Sequence, residues 1–283
     1  MSFRQHCSRH GQDIKAPWVL YNSSLAMQIR PGIQLASLSD IGCQRENNED
    51  NYSYWEPASE EQFARKGRLA IIADGMGGYE GGQEASHLAI EAIEEVYAQA
   101  TEGDPQAWLI NGFFAAHQRI VAEADLRPEL QGMGTTCTAA ALLGHELYFA
   151  HLGDSRLYLI RDHSITRLTR DHSYVGRLIE HGLLRAEEAE AHPQRHILTA
   201  ALGAGMTITP DFPERPIDLE TGDTLLLCTD GLWGLLKDSE LLQTVDSHEL
   251  DEACRQLVAT AKERGGPDNI TVQLLRITSN GRN

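Results

Sequence analysis

The sequence predicts an α+β fold, a single domain in which helices cover a β-sheet. Three observations point to it. Leu69 to Asp74, LAIIAD, is a short apolar run with β-branched residues that ends on an acid, and two amphipathic segments follow it in succession. From residue 132 onward, short β-rich runs alternate with turn signals. No linker-like composition and no convincing internal repeat divides residues 33–277.

Composition narrows the possible functions. The chain has 283 residues, 41% of them hydrophobic and 23% charged, ordinary values for a soluble globular protein. Its formal net charge of -17 is not ordinary. With no basic stripe to neutralise phosphates, it excludes a general nucleic-acid binder. The excess acid is read either as solubility or as carboxylates that await divalent cations. Five scattered cysteines, Cys7, Cys43, Cys137, Cys228 and Cys254, form no CxxC pair or disulfide framework, which points to a reducing cytoplasm. No run approaches the roughly 20 apolar residues that span a bilayer, and the N-terminus lacks a signal-type apolar region.

Residues 1–32 have no clear period, end at the Pro31-Gly32 turn signal and read as an extension. A strand is expected over 34–39. It leads into DIGCQRENNED, where Arg45, Glu49 and Asp50 place one cation and two anions within six positions. If this segment is extended, Glu49 and Asp50 point to opposite faces. Residues 56–68 read as a polar hairpin connection. After LAIIAD, the glycines at 75, 77, 78, 81 and 82 give a turn with bare backbone, where a carboxylate at a strand end suggests a hard-metal site. Apolar positions 85, 89, 92/93 and 96 then predict a helix over 83–98, and Asp104-Pro105 opens a second.

A Gly/Thr-rich turn at 132–136 precedes β-rich runs separated by Gly144-His145 and by GDS at 153–155, read as a meander or hairpin with Asp154 at its tip. Short helices are expected at 173–181 and 186–192, within a polar, histidine-containing segment that reads as substrate-facing. His172, His181, His192 and His196 show no regular metal-ligand spacing, and His87 and His117 read as structural or surface residues. RPIDLE resumes the β pattern. TLLLCT is a buried strand ended by Asp230-Gly231, a helix is expected over 249–263, and Asp268-Asn269 precedes a last strand at 270–277.

Asp74, Asp154, Asp230 and Asp268 therefore all lie at strand junctions, where converging ends can gather them around oxygen-seeking ions. Dispersed carboxylates without a thiolate or imidazole cluster favour Mg²⁺ or Mn²⁺ over zinc. Two such ions about 4 Å apart can hold and deprotonate a water while an arginine grips a phosphate. No GxSxG elbow, Cys-His arrangement or GxxxxGK[ST] loop offers a covalent nucleophile or a P-loop.

The ordered set RENNED (45–50), DGMGG (74–78), GTT (134–136), GDSR (153–156), LTRDHS (168–173), ALG (201–203), CTDGLW (228–233) and GPDNIT (266–271) resembles the metal-dependent Ser/Thr protein phosphatases of the PPM, or type 2C, class, and its bacterial members in particular. Each motif alone is weak, but eight in order from about 34 to 277 are specific.

The resemblance implies a four-layer α-β-β-α sandwich, two antiparallel β-sheets flanked by helices. It divides the chain into an N-terminal extension (1–32), a single phosphatase domain (33–278) and a C-terminal tail (279–283). It implies that Asp74 bridges two core metals, Mg²⁺ or Mn²⁺, and that Gly75 offers its carbonyl to the second. Glu49 and Asp50 would anchor the metals largely through water, and Asp230 and Asp268 would hold the first. Asp154, with Asp230, would hold a weaker third ion. Arg45 would bind the phosphate, and metal-bridging water would attack a phosphoserine or phosphothreonine ester. Eukaryotic members place a histidine where this chain has Met76, so the general acid is metal-bound water or, second, a histidine of the 172–196 segment. Asp171-His172-Ser173 falls near the family's mobile flap, in a site-shaping role. The expected partners are phosphorylated Ser/Thr proteins, substrates of bacterial-type Ser/Thr kinases. A cytoplasmic monomer is expected, without nucleic acid or membrane insertion. The alternative is a degenerate member that binds phosphoproteins or regulates a kinase without turnover.

Overall fold

The computed structural model describes residues 29–77, 81–185, 188, 192–205 and 207–279. The extension before residue 29, the expected helix at 186–192 and the last four residues of the tail fall wholly or partly outside them. Strands β1 (Ile33–Asp40), β2 (Asp50–Trp55) and β3 (Arg68–Met76) are followed by β4 (Gly134–Thr135), β5 (Cys137–Leu143), β6 (Glu146–Leu152), β7 (Arg156–Arg161), β8 (Ser164–Arg167), β9 (Ile217–Asp218), β10 (Thr224–Cys228) and β11 (Ile270–Ile277). Helix α1 (Glu60–Lys66) precedes β3, α2 (Gly81–Gln99) and α3 (Pro105–Leu126) follow it, and α4 (Tyr174–Glu180) follows β8. Helices α5 (Asp230–Trp233), α6 (Asp238–Ser247) and α7 (Leu250–Glu263) lie between β10 and β11.

One sheet has the order β1-β11-β10-β7-β8, the other β2-β3-β5-β6-β9, with β4 paired to the end of β3. Every pairing is antiparallel. Period-two alternation shows how the layers stack. Ala70 and Ile72 of β3 meet Leu225 and Leu227 of β10 in the core between the sheets. Leu69, Ile71 and Ala73 face outward onto α2 and α3, against Ile93, Leu109 and Phe113. Across the molecule, Leu226, Val272 and Leu274 pack on Leu241, Val245 and Leu257 of α6 and α7. The result is the four-layer α-β-β-α sandwich.

The β3 run is apolar because both its faces are covered, so hydrophobic alternation alone cannot fix its register. The polar residues that bound it, Arg68 and Asp74, distinguish one register from the next. Arg68 is buried and donates to the carbonyls of Arg30 and Pro31.

The structure departs from the sequence reading in four places. Strand β3 runs two residues past Asp74, because β4 supplies partners for Gly75 and Met76. Residues 56–68 hold α1 rather than a simple hairpin connection. Ser59 caps it, Glu60 and Glu61 begin it, and Arg65 and Lys66 end it. Lys66 then donates to the carbonyls of Tyr97, at 2.6 Å, and Ala100 at the end of α2. Helix α6 was not anticipated. The GDS turn is not a hairpin tip either, since β6 pairs with β5 and β9 while β7 joins the other sheet, making residues 153–155 a crossover between sheets.

Candidate active site

The expected acids come from different elements and meet at one end of the sandwich. In the register of β2 with β3, Asp50 stands directly opposite Asp74. Like charges so placed repel. Asp230 opens α5, Asp268 lies two residues before β11, and Asp154 sits in the crossover between the sheets. Their fields overlap. The Asp74 carboxyl is pushed well above the usual carboxylate range by burial and then by the charges of Asp50, Asp230, Asp154 and Asp268. Asp154 is raised in the same way by burial, Asp230 and Asp171, against the opposing charge of Arg156. Burial lifts Asp50 to about 7, although hydrogen bonds from Thr271 and Thr229 favour its charged form.

Glu49 is raised by burial, with Arg45 opposing, and its carboxylate lies against Gly82 in the first turn of α2. Arg45 donates to Asp268 at 2.7 Å and feels the charges of Glu49 and Asp74. Gly75 donates its N–H to the Glu49 carbonyl at 3.2 Å. A Cβ at Gly75 would fall 2.0 Å from the Gly82 carbonyl oxygen, so glycine is what lets β3, the Glu49 loop and α2 close up. All of the predicted positions are thus brought into one neighbourhood.

The donor set fits divalent cations. Clustered carboxylates that burial and mutual repulsion hold toward the neutral form are stabilised as anions by a positive ion among them. Among the described residues, the Asp74 carboxylate accepts no hydrogen bond and makes no ion pair within 4.0 Å. No three acidic, imidazole or thiol groups among those residues close on one point as a ready-made cage. A site built this way relies on water and backbone carbonyl oxygen to complete coordination, as hard ions allow.

Thr229 and Thr271, which the sequence reading passed over, hold these acids in place together with Asn269, which the family resemblance implies supports the Asp268 loop, and with Trp233. Asp50 bridges the two sheets by accepting from Thr229 Oγ1 at 2.8 Å and Thr271 Oγ1 at 2.6 Å. Asn269 accepts from the Glu49 N–H at 2.8 Å and donates to the carbonyls of Ile41 and Asn47, tying the Arg45 loop to the start of β11. Trp233 of α5 donates to the Asp154 carbonyl at 2.9 Å, and Arg156 stacks 3.5 Å over its ring. In the sequence, hydroxyls flanking Asp230 and Asp268 were the available signal for Thr229 and Thr271, and strand propensity hid them.

Of the histidines in the 172–196 segment, exposed His196 lies 3.9 Å from Asp230, whereas His172 turns to Gly153 and Asp211. His117 is buried and accepts from the Gly203 N–H, a structural role.

A family model described as protein phosphatase 2C matches residues 46–274. The chain belongs to the protein phosphatase 2C family. It is 38% identical over 240 residues to the serine/threonine protein phosphatase PstP of Mycobacterium tuberculosis, a match that covers 85% of this chain and 44% of PstP. The chain therefore spans less than half the length of that relative. Protein phosphatase PhpP of Streptococcus pneumoniae is 36% identical over 248 residues, covering 86% of this chain and 97% of PhpP. Among solved structures, the PstP/Ppp phosphatase of M. tuberculosis is similar with a TM-score of 0.78 at 36% identity, covering 87% of this chain and 99% of that one. The PstP catalytic domain in complex with two manganese ions gives 0.75 at 35% identity, covering 88% and 99%. This protein phosphatase 2C chain shares the two-sheet sandwich of those structures and presents its acids where the sheets meet at one end.

Proposed function

We propose that this chain hydrolyses phosphoserine and phosphothreonine esters in proteins with the help of divalent cations. The observation that carries this is the convergence of Asp50, Asp74, Asp154, Asp230 and Asp268 in one field beside the guanidinium of Arg45. Asp74, the Gly75 carbonyl, Asp230 and Asp268 would hold two core Mg²⁺ or Mn²⁺ ions, with Glu49 and Asp50 anchoring them through water and Asp154 with Asp230 holding a weaker third. The manganese-bound PstP structure supports the choice of ion class. Ions held by these residues would supply an activated water and offset charge on the phosphoryl oxygens.

The chain's own groups do the rest. Arg45 reaches the acids from an exposed loop, and its forked donors suit two phosphoryl oxygens. Its partner is Asp268, so the arginine proposed to grip phosphate and a carboxylate proposed to hold an ion share one contact. Arg45→Ala is expected to raise KM for a phosphopeptide about tenfold, as loss of a charge-assisted contact implies, and to leave Mn²⁺ affinity equal or tighter. Steady-state kinetics beside calorimetric Mn²⁺ titration checks both. Met76 has no proton to give to the leaving alkoxide, and His196 is exposed. His196→Ala should keep kcat within about threefold, because a true general acid contributes about 10²–10⁴. A hundredfold loss would make His196 that acid.

We place this activity in a single domain, residues 33–278, acting as a monomer in the cytoplasm on substrates of Ser/Thr kinases. The free thiols of Cys137, Cys228 and Cys254, all buried, suit a reducing compartment. The test of substrate class is phosphate release from matched phosphoserine, phosphothreonine and phosphotyrosine peptides with Mn²⁺ present. Release from the first two is expected, and release from none of them by folded protein rejects the proposal.

A further inference from the structure

Residues 153–156, GDSR, carry Asp154 across from one sheet to the other, and two consecutive residues of the segment after β8 hold this turn at both ends. On its far side, Asp171 takes Arg156 in a two-pronged pair, with Nε to Oδ1 at 3.0 Å and Nη2 to Oδ2 at 2.7 Å. On its near side, the His172 N–H donates to the Gly153 carbonyl at 2.7 Å, and the Gly153 N–H donates back to His172 Nδ1 at 3.1 Å. Gly153 has φ +114, and a Cβ there would fall 2.4 Å from that of Thr136, so only glycine fits at this position.

The partners of the ring select its tautomer. Nδ1 accepts from Gly153, so the proton sits on Nε2, which faces Asp211 Oδ2 at 3.4 Å. Asp211 is itself fixed. Its backbone exchanges hydrogen bonds with His151 of β6, and Arg170 donates to its carboxylate at 2.8 and 3.1 Å. The buried His151 ring lies 5.1 Å from that of His172 and joins Thr138 of β5 to the Arg170 carbonyl. The His172 ring therefore stands between an anchored carboxylate and the Leu152–Gly153 peptide at the root of the turn that carries Asp154.

We infer that His172 is a positioning residue: through Nδ1 it fixes the Leu152–Gly153 peptide at the root of the turn, while its backbone N–H holds the Gly153 carbonyl, and so it sets where the Asp154 carboxylate points. This rests on the reading of Asp154 as a cation ligand given above. Loss of the Nδ1 acceptor would leave an amide at the root of the turn without its partner and let Asp154 drift, weakening the ion it helps to hold while sparing the two core ions.

The two ring nitrogens can be tested apart. Asparagine places a side-chain acceptor near the Nδ1 position, and glutamine places its polar end near Nε2. Wild type, His172→Asn, His172→Gln and His172→Ala are compared by amide hydrogen exchange at Gly153, by calorimetric Mn²⁺ titration and by the Mn²⁺ dependence of phosphopeptide hydrolysis. In the glutamine and alanine variants the Gly153 amide is expected to exchange faster. Their weakest Mn²⁺ step should shift by about tenfold, the scale on which partners that orient a ligand act. The asparagine variant should stay within about twofold of wild type on the same scale. Equal Gly153 protection and equal Mn²⁺ binding in all four proteins would overturn the role of His172, as would rescue by glutamine instead of asparagine. A wild-type protein with no Mn²⁺ binding and no Mn²⁺-dependent hydrolysis overturns the site reading itself and is distinct from either result.

Discussion

Asp74→Asn is expected to lower kcat/KM on a phosphothreonine peptide by about a thousandfold or more while the protein remains folded. The carboxylate sits at the centre of the acidic field, opposite Asp50 across the β2–β3 ladder and within reach of the charges of Asp230, Asp154 and Asp268. An amide of the same shape keeps the packing and removes the charge that would hold two ions at once. Cation stabilisation of a phosphoryl transition state amounts to several kcal/mol, and about 1.4 kcal/mol is a factor of ten in rate. In chelator at pH 8, the same substitution should raise Tm, because it relieves repulsion that no cation offsets. A variant with near wild-type turnover would remove Asp74 from the centre of the chemistry. A lower Tm in chelator would show that its charge is satisfied in some other way.

The second large effect concerns pH. The folded-state pKa of Asp50 is raised from an ordinary value of 3.8 to about 7, and that of Asp74 is raised well above the same value. For an acid with a raised folded pKa, the folded state holds more protons than the unfolded state. Stability from this source is complete below the unfolded pKa and is lost as pH rises toward the folded one. For Asp50 that window runs from about 4 to about 7. Metal-free protein should therefore melt at a lower temperature at pH 8 than at pH 5.5, and Mn²⁺ at pH 8 should restore the difference by binding the folded state. Thermal unfolding across this range, with chelator and with Mn²⁺, checks both signs. A chelated protein whose Tm rises steadily from pH 5.5 to 8 would contradict the shared electrostatic origin of these shifts.

Much of the site was legible in the sequence because its chemistry sits at punctuation marks of the fold. Asp74 and Asp230 each sit at an apolar strand end beside a glycine, and Asp268 lies two residues before a strand in a Gly-Pro-Asp-Asn turn, and those are local signals. What was not legible depends on pairing between distant segments. The runs 146–152 and 156–161 look the same whether they form a hairpin or part into two sheets, and only the partners of β7 in β8 and β10 decide it. Helix α1 carried readable caps in Ser59 and Gly67, but its short polar sequence masked them. Helix α6 buries only Leu241 and Val245, one turn apart, too sparse a stripe to stand out. The hydroxyls of Thr229 and Thr271 lay in segments already explained by β propensity. Their role appears only when Asp50, far away in the chain, is brought between them.

The central claim is that these converged acids form a cation-dependent hydrolytic site. It is tested most directly by titrating Mn²⁺ into chelator-stripped, folded protein while following phosphate release from a phosphothreonine peptide. Negligible release is expected without the ion, with activity rising as two ions per chain bind and no comparable rise in Asp74→Asn. Full hydrolysis in the stripped protein, or saturation with Mn²⁺ without any phosphate release, would contradict the claim.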